Sequence, residues 1–261
     1  MRTESDRPKK QRIMKIVVLL KEVPDTYGDR KLNLETGLAE RAGADNVVDE
    51  IGERSLEVAL SYADANEGTE VTVLTMAPEG ATASVRKGLA MGAASAVHIA
   101  DPALSGADLG LTAEVLAAEL RASGFDLVIA GNQSTDGSAG MLPAMLAELL
   151  SVPALTSLSA VTIAADTVAG TRASDDATMQ VSASLPAVIS ITEALPDARF
   201  PNFKGIMAAK KKPLEVKTLA DYGIDADDMT SSRGIMVSIA ERPPRAAGVK
   251  IVDEGDAADK L

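Results

Sequence analysis

DLVIAGNQSTDGSAGMLPAMLAELL, residues 126–150, holds the transition that sets the fold. Leu127 to Ala130 is a short apolar run rich in branched side chains. Such a run suits a strand buried on both faces, as in a parallel sheet. A loop of Gly, Ser, Thr and Asp follows, and MLPAMLAELL (141–150) then begins a helix. A small-residue loop at the carboxyl end of a parallel strand is where α/β folds bind ligands.

The same strand character recurs on the N-terminal side, in KIVVLL (15–20), VTVLTM (71–76) and SAVHIA (95–100). Amphipathic stretches lie between these runs. ERSLEVALSYADA (53–65) places Leu56, Ala59, Leu60 and Ala63 at helical spacing, and 84–92 and 111–122 repeat the pattern. Strands alternating with helices imply right-handed βαβ units and a parallel sheet. Residues 14–150 therefore read as an α/β half of nucleotide-binding type, a Rossmann-like parallel sheet flanked by helices.

Beyond Pro153 the pattern changes. Residues 161–191 alternate and carry turn residues, with no helical period, so antiparallel strands added to the sheet edge are expected. From 192 the chain turns irregular through Pro196, Pro201 and Gly205 and enters a lysine-rich stretch. Residues 223–261, with RPPRAAG and an acidic finish, read as an extended C-terminal arm that needs a surface to lie on, a partner subunit being one candidate. The charged residues 1–13 read as a disordered extension, with Met14 as a second candidate start. The body is then 14–222, and the expected compartment is the cytoplasm.

Composition narrows the function. Of 261 residues, 26 are Lys or Arg and 38 are Asp or Glu, a net charge of −12 that argues against nucleic-acid binding. There is no Cys, which excludes disulfides, thiolate metal sites, cysteine nucleophiles and cysteine-ligated clusters. The single His, His98, lies in an apolar strand pattern and reads as a strand histidine rather than a catalytic base. Asp225, Asp227 and Asp228 read as a solvated turn rather than a metal loop. No apolar run reaches the length of a membrane span, about 18 residues. No catalytic or metal centre is expected.

Two segments remain. In 131–140, small residues let the backbone approach a ligand. The free N–H groups at the helix start suit a phosphate, and Ser134, Thr135 and Ser138 add hydroxyl donors. An ordinary capped loop fits the same residues. Neither a Walker loop nor a GxGxxG fingerprint is present, which points to adenine nucleotide binding without phosphoryl transfer. The second segment is RFPNFKGIMAAKKK (199–212). It holds two of the three Phe in the chain, flanked by Arg199, Lys204, Lys210, Lys211 and Lys212. An aromatic residue in a basic irregular segment is a natural anchor for a partner's pocket. The other reading packs it back on its own core.

These segments, with KIVVLLKEVPDT (15–26), ERSLEVAL (53–60), RKGLAMGA (86–93), GNQSTDGSAGMLPAMLAELLSVP (131–153), RFPNFKGIMAAKKKPLEV (199–216) and PPRAAGVKI (243–251), resemble the electron transfer flavoprotein beta subunits. The resemblance spans about residues 14–252. It implies a heterodimer with an alpha subunit that holds most of the FAD. The beta subunit would bind a structural AMP, support the flavin and catalyse nothing alone. A recognition loop within 192–212 would dock on acyl-CoA dehydrogenases or related flavoenzymes, and the complex would pass electrons to a quinone-reducing acceptor of the respiratory chain. Some members hold a second FAD where others hold AMP. A stand-alone nucleotide-binding regulator of the universal-stress type would share the sheet but has no need of residues 192–261.

Carried onto this chain, the resemblance places Leu19, Asp49, Glu50, Ile51, Gly52, Met76, Gly131, Gln133, Ser134, Thr135, Asp136, Gly137, Ser138 and Ala139 around the AMP. Thr26, Tyr27 and Ile51 fall near the flavin. Arg199, Phe200, Phe203, Lys204, Lys210, Lys211 and Lys212 form the partner-recognition set, with Phe203 in the place of the apolar anchor. Two stretches depart from the commoner family pattern: Asp49-Glu50-Ile51 stands for an Asn-Pro-aromatic sequence, and Gly137-Ser138-Ala139-Gly140 for Asn-Gln-Thr-Gly.

Overall fold

Strand β1 (Met14–Leu19) turns Ile16 and Val18 to one face of a sheet and Val17 to the other, and all three are buried. The computed structural model describes residues 13–41, 43–231, 233–252 and 254–260. The expected extension at 1–13 lies, except for Ile13, outside the described residues.

The remaining elements are β2 (Glu22–Pro24), β3 (Asn46–Val48), α1 (Glu50–Ala65), β4 (Thr69–Met76), α2 (Thr82–Met91), β5 (Ser95–Ile99), α3 (Leu109–Ser123), β6 (Leu127–Gly131), α4 (Leu142–Leu150), β7 (Ala154–Ile163), β8 (Thr167–Ala173), β9 (Thr178–Ser184), β10 (Ala187–Ile191), α5 (Phe203–Ala209) and β11 (Leu214–Lys217). The nine-stranded sheet has the order β11-β5-β4-β1-β6-β10-β7-β8-β9. From β11 to β7 neighbours run parallel, and β8 and β9 are antiparallel additions at one edge. One face buries Leu56, Ala59 and Leu60 of α1, Val85 and Leu89 of α2 and Ala209 of α5. The opposite face buries Leu111, Val115 and Leu120 of α3 with Leu146 and Ala147 of α4. The fold is thus α/β with a mostly parallel sheet between helices, as expected.

From β1 the chain steps to β4 and β5 on one side, then returns to β6 on the other. The order reverses between β1 and β6, and sheets of this class take ligands at the carboxyl ends beside such a reversal.

Two expectations are corrected. The stretch 161–191 does not consist only of antiparallel edge strands. Its last part, β10, runs parallel to β6 from Ala187↔Leu127 to Ile191↔Gly131 and is buried throughout. AVISI is an apolar run that satisfies a central strand, and its pairing partner lies far back in the chain. Nor is 192–222 wholly irregular. Asn202 caps α5 by accepting from Gly205 N at 2.8 Å, and β11 extends the sheet beside β5. The C-terminal side of this segment is tied down by Glu119, a buried carboxylate of α3. It accepts from Lys217 Nζ at 2.8 Å and Tyr222 Oη at 2.9 Å. Burial first, and then the hydrogen bond to Glu119 and its charge, push the Tyr222 phenol well above its ordinary range.

His98 is buried in β5, with Nε2 3.0 Å from the Ala77 carbonyl oxygen, and so is a strand histidine. Asp225 accepts from Asp227 N and Asp228 from Thr230, as in a local turn. Among the described residues no group of three or more His, Asp or Glu could hold a metal ion, and no helix is long and apolar enough to cross a membrane. Of the arm, Ile224 and Ala226 pack against the core on the α3 side, and Arg233, Gly234 and Met236 also touch the body. Arg233 pairs with Glu114 at 2.7 Å, Gly234 N donates to Asp108, and Met236 lies over Gly37. Beyond it Val237, Val249 and Val252 stand exposed.

Candidate nucleotide site and docking segment

The loop after β6 leaves the sheet at Gly131. A Cβ there would lie 2.5 Å from Ile51 Cγ2, so α1 reaches the strand end only because the residue is glycine. Asp49, just before α1, is buried, and its Oδ2 accepts from Thr135 N at 2.8 Å and Thr135 Oγ1 at 3.2 Å. Its Oδ1 is also buried and has no hydrogen-bond partner. Ser138 N donates to Ser134 O at 3.0 Å, and Ser138 takes a left-handed φ of 51°. Gln133, Thr135 and Gly137 to Gly140 are exposed, and no side chain caps the start of α4.

Three cations that the sequence reading passed over brace this loop. Lys21 Nζ reaches Asp136 Oδ1 at 2.7 Å and Ser134 Oγ at 3.2 Å, and Arg41 reaches Asp136 Oδ2 at 2.6 Å. Arg30 donates to the Thr135 carbonyl and to Pro24 O, the latter at 2.7 Å. Partial burial would raise the Asp136 carboxyl, but Lys21 and Arg41 outweigh it and hold the group well below the usual range. These partners sit far from the loop in sequence, and no local motif marks them.

The structure therefore gathers many of the expected AMP residues at one edge. Leu19 ends β1 and pairs with Leu74, two residues before Met76 on β4. Gly131 ends β6, Asp49 joins Thr135, and Ile51 packs on Gly131. Gly52 is buried against Leu20, while Glu50 is exposed. Thr26 and Tyr27 are exposed in the excursion between β2 and β3. Arg30 and Arg41, in that same excursion, tie it to the loop.

The segment 199–212 divides into two groups. Phe200 is 94% exposed and Phe203 79%, and Ile206 and Met207 beside them are about half exposed. Lys204, Lys210 and Lys211 are also exposed. Arg199 and Lys212 turn inward. Arg199 forks onto Glu57 at 2.7 and 2.8 Å, and Lys212 Nζ donates to Leu89 O at 2.9 Å and Ala93 O at 2.6 Å. Burial pushes the Lys212 ammonium down. An open cleft of about 300 Å³ is lined by Ala90, Met91 and Gly92 at the end of α2 and by Arg199, Phe200 and Lys204 of this segment.

A sequence profile described as the electron transfer flavoprotein domain matches residues 36–222. The chain is similar to the electron transfer flavoprotein subunit beta of Mycobacterium bovis (strain ATCC BAA-935 / AF2122/97). The two are 44% identical over 254 residues, covering 94% of this chain and 95% of that one. It is 32% identical to the electron transfer flavoprotein subunit beta of Bacillus subtilis (strain 168) over 216 residues, 82% of this chain and 83% of the relative. It is also 33% identical, over 82% of both chains, to the caffeyl-CoA reductase-Etf complex subunit CarD of Acetobacterium woodii. With a Rossmann-like sheet, a braced loop at its switch point and coverage of almost the whole length, the chain belongs to the electron transfer flavoprotein beta-subunit family.

Proposed function

We propose that this chain pairs with an alpha subunit, binds AMP at the loop after β6, supports an FAD held mainly by alpha, and docks on acyl-CoA dehydrogenases or related flavoenzymes. The complex hands electrons towards a quinone-reducing acceptor in the cytoplasm, and the chain has no catalysis of its own. The observation that carries the reading is the pair Phe200 and Phe203. Two large rings stand in water beside Lys204, Lys210 and Lys211, in a chain of net charge −12. Exposing such area is unfavourable unless a partner covers it. The nucleotide reading is supported by the exposed loop, the uncapped start of α4 and the unpartnered Asp49 Oδ1, which suits a ribose hydroxyl. Gly131, Ser134, Thr135 and Ser138 would hold the nucleotide, and Ile51, Thr26 and Tyr27 would face the flavin side.

FAD supplies the one-electron and two-electron chemistry that no side chain here provides. Co-expression with the alpha subunit and quantitation after denaturing extraction test the proposal. One FAD and one AMP per heterodimer are expected. Two FAD and no AMP would place a second flavin in the loop site, and neither nucleotide would refute the reading.

A further inference from the structure

We infer that the outer face of α1 is a splint for the docking segment, and that Arg199 serves docking by being held on that splint rather than by meeting the donor. The inference rests on the docking role proposed for Phe200 and Phe203.

Arg54, Glu57 and Asp64 fall at spacings of three and seven on α1 and share one face. Arg199 lies across that face. Its Nε reaches Glu57 Oε2 at 2.7 Å, its Nη2 reaches Glu57 Oε1 at 2.8 Å, and its Nη1 reaches Asp64 Oδ2 at 2.9 Å. Its backbone N–H also donates to Glu57 Oε2 at 3.0 Å. A planar guanidinium held by a bidentate fork has little freedom left. Upstream, Arg54 donates to the Leu195 carbonyl at 2.5 Å and pairs with Asp197. The chain from 195 to 199 is thereby fastened to α1 immediately before Phe200. Downstream, Arg86 donates to Ala209 O at 2.8 Å, and Lys212 closes on the end of α2. The aromatic pair sits between two fastened ends, so its presentation needs little ordering when a partner arrives. The Arg199 charge is met by two carboxylates. Long-range attraction to an acidic donor is left to Lys204, Lys210 and Lys211.

The test uses the cofactor-loaded heterodimer, reduced by a medium-chain acyl-CoA dehydrogenase with octanoyl-CoA. Glu57→Ala, Arg199→Ala and the double variant are compared with wild type, and Phe203→Ala reports on docking itself. Each single splint variant is expected to raise the KM for the carrier on the order of fivefold to tenfold, with kcat and flavin content unchanged. The double variant should match the worse single to within about twofold, because both remove one interaction. Arg199→Lys, which keeps the charge and loses the fork, should behave like Arg199→Ala. Without any donor, trypsin should cut after Lys204 faster in Glu57→Ala than in wild type. A wild-type KM in Glu57→Ala beside a raised KM in Arg199→Ala, or full rescue by Arg199→Lys, would put the guanidinium on the donor and overturn the inference. An unchanged KM in Phe203→Ala would remove the docking reading instead. The trypsin comparison would then decide the splint alone, and equal cleavage rates would refute it.

Discussion

Gly205→Ala is the sharpest test of how α5 is seated. Gly205 lies in α5, and a Cβ built on it falls 2.4 Å from the Ala90 carbonyl oxygen of α2. An ordinary carbon–oxygen contact is about 1 Å longer. The obstacle is a backbone atom of a packed helix, so no rotamer change relieves it, and α5 must lift from α2. Overpacking of this kind costs about 1–3 kcal/mol. Alanine in place of glycine returns up to about 1 kcal/mol of helix propensity. The net loss is then about 1–2 kcal/mol, which lowers Tm by roughly 2–8 °C at this chain length. The lift also draws Lys212 away from Leu89 O and Ala93 O and displaces Phe203. Calorimetry of the heterodimer and steady-state reduction by a donor dehydrogenase should therefore both move, with lower Tm and higher KM. A Tm equal to or above wild type with unchanged KM would mean that α5 does not sit on α2 in this way.

Three further outcomes are expected. Phe203→Ala removes the exposed anchor and should weaken reduction by the donor by about 2 kcal/mol, with flavin content unchanged; equal kinetics would remove Phe203 from the interface. Ser138→Asp should lower AMP recovery after denaturing extraction. Asp tolerates the left-handed φ of 51° already present, so a loss would report charge beside phosphate rather than strain, and full recovery would exclude Ser138 from the site. Asp136→Asn should loosen the loop after β6 by about 1–2 kcal/mol, since Lys21 and Arg41 are partly exposed and resolvate, and hydrogen exchange at 132–140 reads this. The Asp136 carboxyl is held below its unfolded value, so its contribution is present above about pH 4 and is lost as pH falls through the folded value. AMP retention should accordingly stay flat from about pH 5 to 8, and a decline within that window would contradict the pairing.

The parallel half was legible because its strands are buried on both faces, and continuous apolar runs such as VTVLTM carry that signal by themselves. Helix α1 was legible from Leu56, Ala59 and Leu60. Strand β10 was not, since AVISI follows an alternating stretch and its neighbour β6 lies far back in the chain. Helix α5 escaped notice because it has seven residues and contains a glycine, which local propensity reads as loop. In the loop after β6 the small and hydroxyl residues could be named from type and position. Lys21, Arg30 and Arg41 were not, because an ion pair across about a hundred residues has no local period. For Arg199 and Lys212, composition showed the charge without its direction, and only the fold turns them inward.

Strand β10 carries a consequence for the order of synthesis. It lies between β6 and β7, so when the ribosome has made the α/β half through residue 150, β6 still has one open apolar edge. The first backbone bond of the loop after β6, from Asn132 N to Ile191 O at 2.9 Å, waits for the last residue of that strand. At roughly 5–20 residues per second the intervening strands β7, β8 and β9 take a few seconds to emerge, and during that time the half-built sheet can pair wrongly. The site proposed for the nucleotide is thus closed by a late strand, and capture of a nucleotide there would follow translation of β7 to β10 rather than precede it.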